Sequence, residues 1–215
     1  MKLPFEFSTA IFDLDGTLVD TEPFYSEATQ VVLKPYGKKF TNDFKRKIMG
    51  GDALTSASMT VKEFNLEMTP QEFLERREVH LRVLFPKAIE IKGASEYLWK
   101  LKEAGIRIGL ATSSSKALCE IKIGHRTWSD IFECKIHGDD SELLRSKPAP
   151  DIFILCAQRM AVEPEDIIVF EDSKNGIKAA KAAGMRVVGI RNEFMSEADF
   201  QDADFLVDNY ADIEI

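Results

Sequence analysis

One local pattern recurs along the chain: a short apolar run that stops abruptly at a polar loop. Thr9-Ala10-Ile11-Phe12 ends at Asp13 with Gly16 just beyond, Ile106 to Ala111 ends at Thr112-Ser113-Ser114-Ser115, and Asp166 to Phe170 ends at Glu171-Asp172. Apolar runs this short and without alternation predict strands buried on both faces. Arg186 to Ile190 and, more faintly, Phe205 to Val207 predict two more. Helical patterns lie between them: Ala94 to Ala104 before Gly105, Ile152 to Met160, and Ile177 to Ala183 before Gly184, each glycine suiting the position just past a helix. Strand and helix alternating at this spacing predict an α/β fold with a parallel sheet and helices on both faces.

The stretch from about Glu22 to Lys92 breaks that rhythm. It carries apolar positions at helical spacing and no clear strand, and Thr69-Pro70-Gln71-Glu72 offers a capping box with proline at the first helical position, opening a helix over 70–84. The expectation is an all-helical insertion just after the first strand. The chain then divides into an α/β core of residues 1–16 and 93–215 and an inserted helical domain of residues 17–92.

Composition narrows the function. At 215 residues, with 45% hydrophobic and 30% charged, the chain is long enough for a sizeable core and unlike a disordered or fibrous protein. A formal net charge of -8 gives no broad basic footprint, so neither nucleic acid nor a membrane surface is an expected partner. Any anionic ligand needs a locally built positive potential. Cys119, Cys134 and Cys156 are irregularly spaced, without a zinc-like grouping, and no secretory leader or membrane-length apolar run is seen. A cytoplasmic location is the expectation.

The chemistry-bearing residues stand where the predicted strands end. Asp13 and Asp15, two positions apart, have the spacing that points both side chains to one side. Two converging carboxylates can hold a hard cation, and with one bound, one can attack an electrophile while the other moves protons. Glu171 and Asp172 supply further oxygen ligands if their strand lies beside the first. Thr112-Ser113-Ser114 bring hydroxyls and successive N–H groups suited to phosphate oxygens. Lys147, in the proline-stiffened Ser146-Lys147-Pro148-Ala149-Pro150-Asp151, offers a compact cation. Taken singly, the acids and hydroxyls read equally well as turn and helix caps, and the lysine as surface.

Together, Asp13-Leu14-Asp15-Gly16-Thr17, Thr112, Lys147 and Glu171-Asp172 resemble the four ordered motifs of the haloacid dehalogenase (HAD) superfamily, over about Phe7 to Ile190. The insertion resembles the small helical C1 cap of its sugar-phosphate phosphatase and β-phosphoglucomutase branch. Asp20-Thr21-Glu22, Ile48-Met49-Gly50, Leu110-Ala111-Thr112-Ser113-Ser114, His137-Gly138-Asp139-Asp140 and Phe170-Glu171-Asp172-Ser173 look most like the pseudouridine 5′-phosphatase and glycerol-phosphate phosphatase members. The resemblance implies a Rossmann-like core and a Mg²⁺-dependent phosphate monoester hydrolase working through an aspartyl-phosphate. It implies Asp13 as nucleophile and Asp15 as acid and then base. Asp13, the Asp15 carbonyl and Asp172 would hold Mg²⁺, with Glu171 as a direct or water-mediated ligand, and Thr112, Ser113 and Lys147 would bind the phosphoryl group. The partner would be a small phosphorylated metabolite, and a monomer is expected.

The same branch keeps a phosphomutase reading open. Two departures oppose it: Thr17 stands where mutases carry a hydrophobic residue, and Tyr25 where they carry a histidine. The mutases' phosphate-binding arginine, a few residues past the glycine matching Gly50, has no counterpart; Asp52 and Ala53 fill that stretch. A catalytically silent binding module is the third reading, opposed by retention of every named acid and Lys147. Arg76, Arg77 and His80 share one predicted helix and read as its solvated face, with a polar leaving group as the alternative partner. Phe24 and Tyr25 read as core or as site border; His125 and His137 receive no role. The connections Thr17 to Glu22 and Pro86 to Gly93 are the expected hinges.

Overall fold

In a computed structural model of the chain, which describes residues 2–48 and 52–214, the apolar runs pair into a six-stranded parallel sheet. Its strands are β1 (Thr9–Phe12), β4 (Arg107–Ala111), β5 (Cys134–Ile136), β6 (Ile167–Glu171), β7 (Arg186–Ile190) and β8 (Phe205–Val207), in the spatial order β5-β4-β1-β6-β7-β8. A separate ribbon is formed by β2 (Val19–Asp20) and β3 (Ile89–Glu90). β1 lies centrally, with Phe12 opposite Leu110 of β4 on one side and Phe170 of β6 on the other.

Period-2 geometry splits each strand between two cores. Ala10, Phe12, Leu110 and Phe170 face α5 (Ala94–Glu103) and α6 (Lys116–Ile123), with Phe12 stacked on Phe170 at 4.6 Å between ring centroids. Ile11, Ala111, Val169 and Val187 face α7 (Asp151–Met160) and α8 (Lys174–Ala182). Burial on both faces is why the strands carry no polar alternation. α8 starts three residues earlier than its apolar pattern suggests, because the Ser173 hydroxyl accepts the Gly176 N–H at 3.1 Å and caps it.

Between β1 and β4 lie α1 (Glu22–Leu33), α2 (Asn42–Ile48), α3 (Ala53–Phe64) and α4 (Pro70–Leu84). The capping box at Thr69 and Glu72 is formed as expected. These helices bury a cluster of their own, including Val32, Leu33, Ala57 and Phe73. A second cluster, Ala28, Leu81 and Phe85, packs against Leu118 and Ile121 of α6. The segment is not purely helical. β3 lies within it, because the chain's two passages between helices and sheet run side by side and pair antiparallel, Val19 with Glu90 and Asp20 with Ile89. Two-residue strands leave no periodic signal to read. Of Ile48-Met49-Gly50, the last two lie outside the described residues. Asp52 caps α3, accepting the Thr55 N–H at 2.9 Å. No described helix is long and apolar enough to cross a membrane.

Candidate active site

The polar loops that end β4, β1 and β6 meet at the carboxyl edge of the sheet, where open α/β sheets offer a ligand crevice. Asp13 follows β1 directly, its N–H donating to the Phe170 carbonyl at 3.0 Å, so it starts the loop in register with its neighbour. Oxygen atoms of Asp13, Glu171 and Asp172, all buried, lie within 4.8 Å of one another. Lys147, 134 residues beyond Asp13, donates from Nζ to Asp13 Oδ1 at 2.6 Å, to Glu171 Oε1 at 2.7 Å and to the Ala111 carbonyl at 3.1 Å. Each of its three protons therefore has an acceptor.

Backbone chemistry makes room for this crowding. Gly16 has φ +80°, and a Cβ there would lie 2.1 Å from Asp172 Oδ2. A Cβ on Gly176 would overlap the Glu171 carboxylate, at 1.7 Å from Oε1. The second Glu171 oxygen accepts from the Ser173 N–H and hydroxyl, both at 2.9 Å, so both its oxygens are already engaged. Asp172 is held by Asn192, whose Nδ2 donates to its carbonyl at 2.9 Å and to Oδ2 at 3.4 Å, and by the Thr17 hydroxyl at 3.3 Å.

Electrostatics mark the cluster as charge-deficient. Burial, with repulsion from Glu171 and Asp15, pushes the Asp13 carboxyl up to about 7 despite Lys147. Burial likewise raises Asp172 well above the carboxylate range, with Glu171 and Asp13 adding to it. Lys147 is itself held protonated, Asp13 and Glu171 outweighing its burial. Three buried carboxylates against one ammonium are two charges short of neutrality, and their donors are hard oxygens. That donor set and that deficit suit a divalent cation of the Mg²⁺ or Ca²⁺ kind.

Asp15 sits apart from this group. Its Oδ1 accepts from Lys122 Nζ at 2.6 Å and from the Thr21 hydroxyl at 2.5 Å, and its Oδ2 from the Ser114 hydroxyl at 2.8 Å. Burial alone would raise its carboxyl; Lys122 and these hydrogen bonds overcome that and hold it low. Thr21 occupies the N-cap of α1 but makes no side-chain cap bond, its hydroxyl being spent on Asp15. A local rule broken in this way marks a functional position.

On the other flank, Thr112 is buried and Ser113 lines the cleft. The Thr112 N–H donates to the Ile136 carbonyl and the Ser114 N–H to the Thr112 hydroxyl, at 3.0 and 3.1 Å, so those two N–H groups are already used. The Thr112 hydroxyl keeps its own proton to donate. The cleft, of about 320 Å³, lies between the sheet edge and the inserted helices. Tyr25 borders it, whereas Phe24 packs into the core clusters.

Arg77 corrects the solvated-face reading of α4. It is only 9% exposed, lines the cleft, and leaves Nε without a hydrogen bond, while Arg76 stays exposed beside the Tyr36 hydroxyl. The cause is rotational: Arg77 shares the inward stripe of Phe73 and Leu81 at i, i+4 spacing. Sequence reasoning also missed Lys122 and Asn192; the only local sign of Lys122 is a lysine between two apolar residues of an amphipathic helix.

Compared with known proteins, the chain matches the haloacid dehalogenase-like hydrolase family over residues 10–190. It is 36% identical over 208 residues to a Drosophila melanogaster protein named probable pseudouridine-5′-phosphatase, spanning 95% of this chain and 90% of that one. It is 35% identical over 210 residues to (DL)-glycerol-3-phosphatase 2 of Arabidopsis thaliana, spanning 95% and 88%. Among solved structures, CbbY of Rhodobacter sphaeroides in complex with phosphate superposes with a TM-score of 0.80 at 26% identity, covering 96% of each chain.

Proposed function

The chain belongs to the haloacid dehalogenase-like hydrolase family, and from that premise we propose that it is a Mg²⁺-dependent phosphatase of small phosphorylated metabolites. The observation that carries this reading is the buried Asp13–Lys147–Glu171 chain of ion pairs beside Asp172, a site two positive charges short and open to a cleft. Relatives named for pseudouridine 5′-phosphate and glycerol 3-phosphate support a sugar, polyol or nucleoside monophosphate as substrate. Residues 17–92 would form a cap over that cleft, hinged where β2 and β3 pair.

Asp13, the Asp15 carbonyl and Asp172 would hold the metal, which when bound supplies the charge that offsets repulsion between a phosphate dianion and these acids. Glu171, with both oxygens engaged by Lys147 and Ser173, acts in this reading on Lys147 or through water. Asp13 attacks phosphorus in line; its Oδ–P bond forms as the bond to the leaving oxygen breaks. Asp15 delivers a proton to that oxygen, then removes one from the water that cleaves the aspartyl-phosphate and frees Asp13. Held low in the free protein, Asp15 stands ready as the base and must gain its proton as substrate arrives. Thr112, Ser113 and Lys147 hold the transferring group in this reading: Thr112 and Ser113 donate to oxygens whose charge grows in the transition state, and Lys147, whose three protons have protein acceptors in the free chain, acts there through its positive charge.

The mutase alternative is not favoured: the curated relatives above carry phosphatase names, and position 25 is a tyrosine. Phosphate release from a panel of monoesters, with and without Mg²⁺, tests the reading. Release from at least one metabolite ester that stops on chelation is expected; no Mg²⁺-dependent release from any ester rejects it.

A further inference from the structure

Lys122 is a lysine with no solvent-exposed surface, 107 residues from Asp15 along the chain, and nothing in the scheme above uses it. Its ammonium donates to Asp15 Oδ1 at 2.6 Å, to the Ser114 hydroxyl at 2.6 Å and to the Tyr25 hydroxyl at 3.2 Å. Since Ser114 in turn donates to Asp15 Oδ2, Lys122, Ser114 and Asp15 close a ring that fixes both oxygens of one carboxylate, with Tyr25 taking the third ammonium proton from outside it. The Phe85 ring lies 4.3 Å below the ammonium and shuts out water. Two acceptors come from the sheet edge, but Tyr25 belongs to α1 and Phe85 to the segment leading back from α4. Burying a lysine here is costly unless every proton is bonded, and a position this exacting is a poor choice for mere stability.

We propose that Lys122 is a positioning residue for proton transfer: it aims the Asp15 carboxylate at the leaving oxygen, and it does so while the inserted helices lie over the site to complete its bonding. The inference rests on the phosphatase reading above. Proton delivery matters only when the leaving oxygen is basic. A misaimed Asp15 therefore slows esters of weakly acidic alcohols and spares those whose leaving group departs unprotonated.

The experiment compares wild type, Lys122→Met, Asp15→Asn and the double variant on phenyl phosphate and 2,4-dinitrophenyl phosphate with Mg²⁺. These esters are close in shape, but only phenolate, with a pKa near ~10 like that of tyrosine, needs a proton to leave well. Reading kcat/KM confines the comparison to steps up to departure of the leaving group. Lys122→Met is expected to lose roughly 10- to 100-fold on phenyl phosphate, within the range of general acid catalysis, and less than about threefold on the dinitrophenyl ester. Within the Asp15→Asn background it should cost nothing more, because the two act as one unit. If Lys122→Met does not fold, Ser114→Ala and Tyr25→Phe keep the ammonium and remove its other acceptors, and the same selective loss, smaller, is expected. An active wild type whose folded variants lose both esters equally, or neither, or whose losses add to that of Asp15→Asn, overturns this inference alone. A wild type that hydrolyses neither ester overturns the phosphatase reading and this inference with it.

Discussion

Lys147 Nζ lies 2.6 Å from Asp13 Oδ1 and is the only ammonium bonded to the Asp13–Glu171–Asp172 group among the described residues. It therefore balances buried charge and fixes one oxygen of Asp13, the carboxylate proposed to attack phosphorus. Lys147→Met should abolish turnover and, without metal, cost about 3–5 kcal/mol of stability, the usual penalty for stranding buried charge. Denaturant unfolding with and without Mg²⁺ checks this. A loss of stability that added Mg²⁺ does not partly restore would separate Lys147 from the metal site.

Asp13→Asn should fold normally yet lose at least about 10³-fold in kcat, since a side-chain amide is no nucleophile here. It should also melt higher than wild type without metal, because it removes one of three repelling buried carboxylates. Melting curves and phosphate release on one purified sample give both readings.

Asp172→Asn should raise metal-free stability for the same reason while shifting the Mg²⁺ activation curve to much higher concentration. An unchanged Mg²⁺ titration would remove Asp172 from the ligand set.

The Asp13 carboxyl sets a pH window. Its folded pKa is raised from 3.8 to about 7, so the stability it contributes in metal-free protein is intact below about 4 and is lost as pH rises through about 7. If Asp13 holds Mg²⁺ as proposed, metal and proton compete for it, so the melting-temperature gain from a fixed Mg²⁺ concentration should be larger at pH 8 than at pH 6. An equal gain at both would mean Asp13 is not titrating against the metal.

Arg77 presents a buried guanidinium with an unbonded Nε to the cleft. Arg77→Met should lower kcat/KM for the best polar metabolite ester about tenfold or more, a charged hydrogen bond being worth roughly 1.5–3 kcal/mol. Phenyl phosphate, lacking polar groups beyond its phosphoryl, should be little affected. Parallel losses on both would place Arg77 in the folding of the inserted helices instead.

Much of this architecture is legible in the sequence. Strand ends at Phe12 and Ala111, a third read at Phe170 and found one residue later at Glu171, the capping box at Thr69 and the inserted helices follow from local rules: burial on both faces erases alternation, and turns and caps demand particular residues. The acids and hydroxyls of the cleft could be picked out because they stand where apolar runs stop, and Lys147 because two prolines stiffen the loop that carries it. What those rules could not supply is partnership. Whether β6 adjoins β1, which cation each aspartate takes, that Asn192 grips Asp172, and that Arg77 turns inward depend on packing between segments tens to well over a hundred residues apart. Lys122 is the sharpest case. Along the chain it is one lysine in a short amphipathic helix, and only the meeting of α6 with α1, Phe85 and the β1 loop buries it on Asp15. Element type is encoded by neighbours a few residues apart, whereas the charge and aim of a catalytic carboxylate are decided by desolvation and contacts that exist only once the tertiary structure has formed.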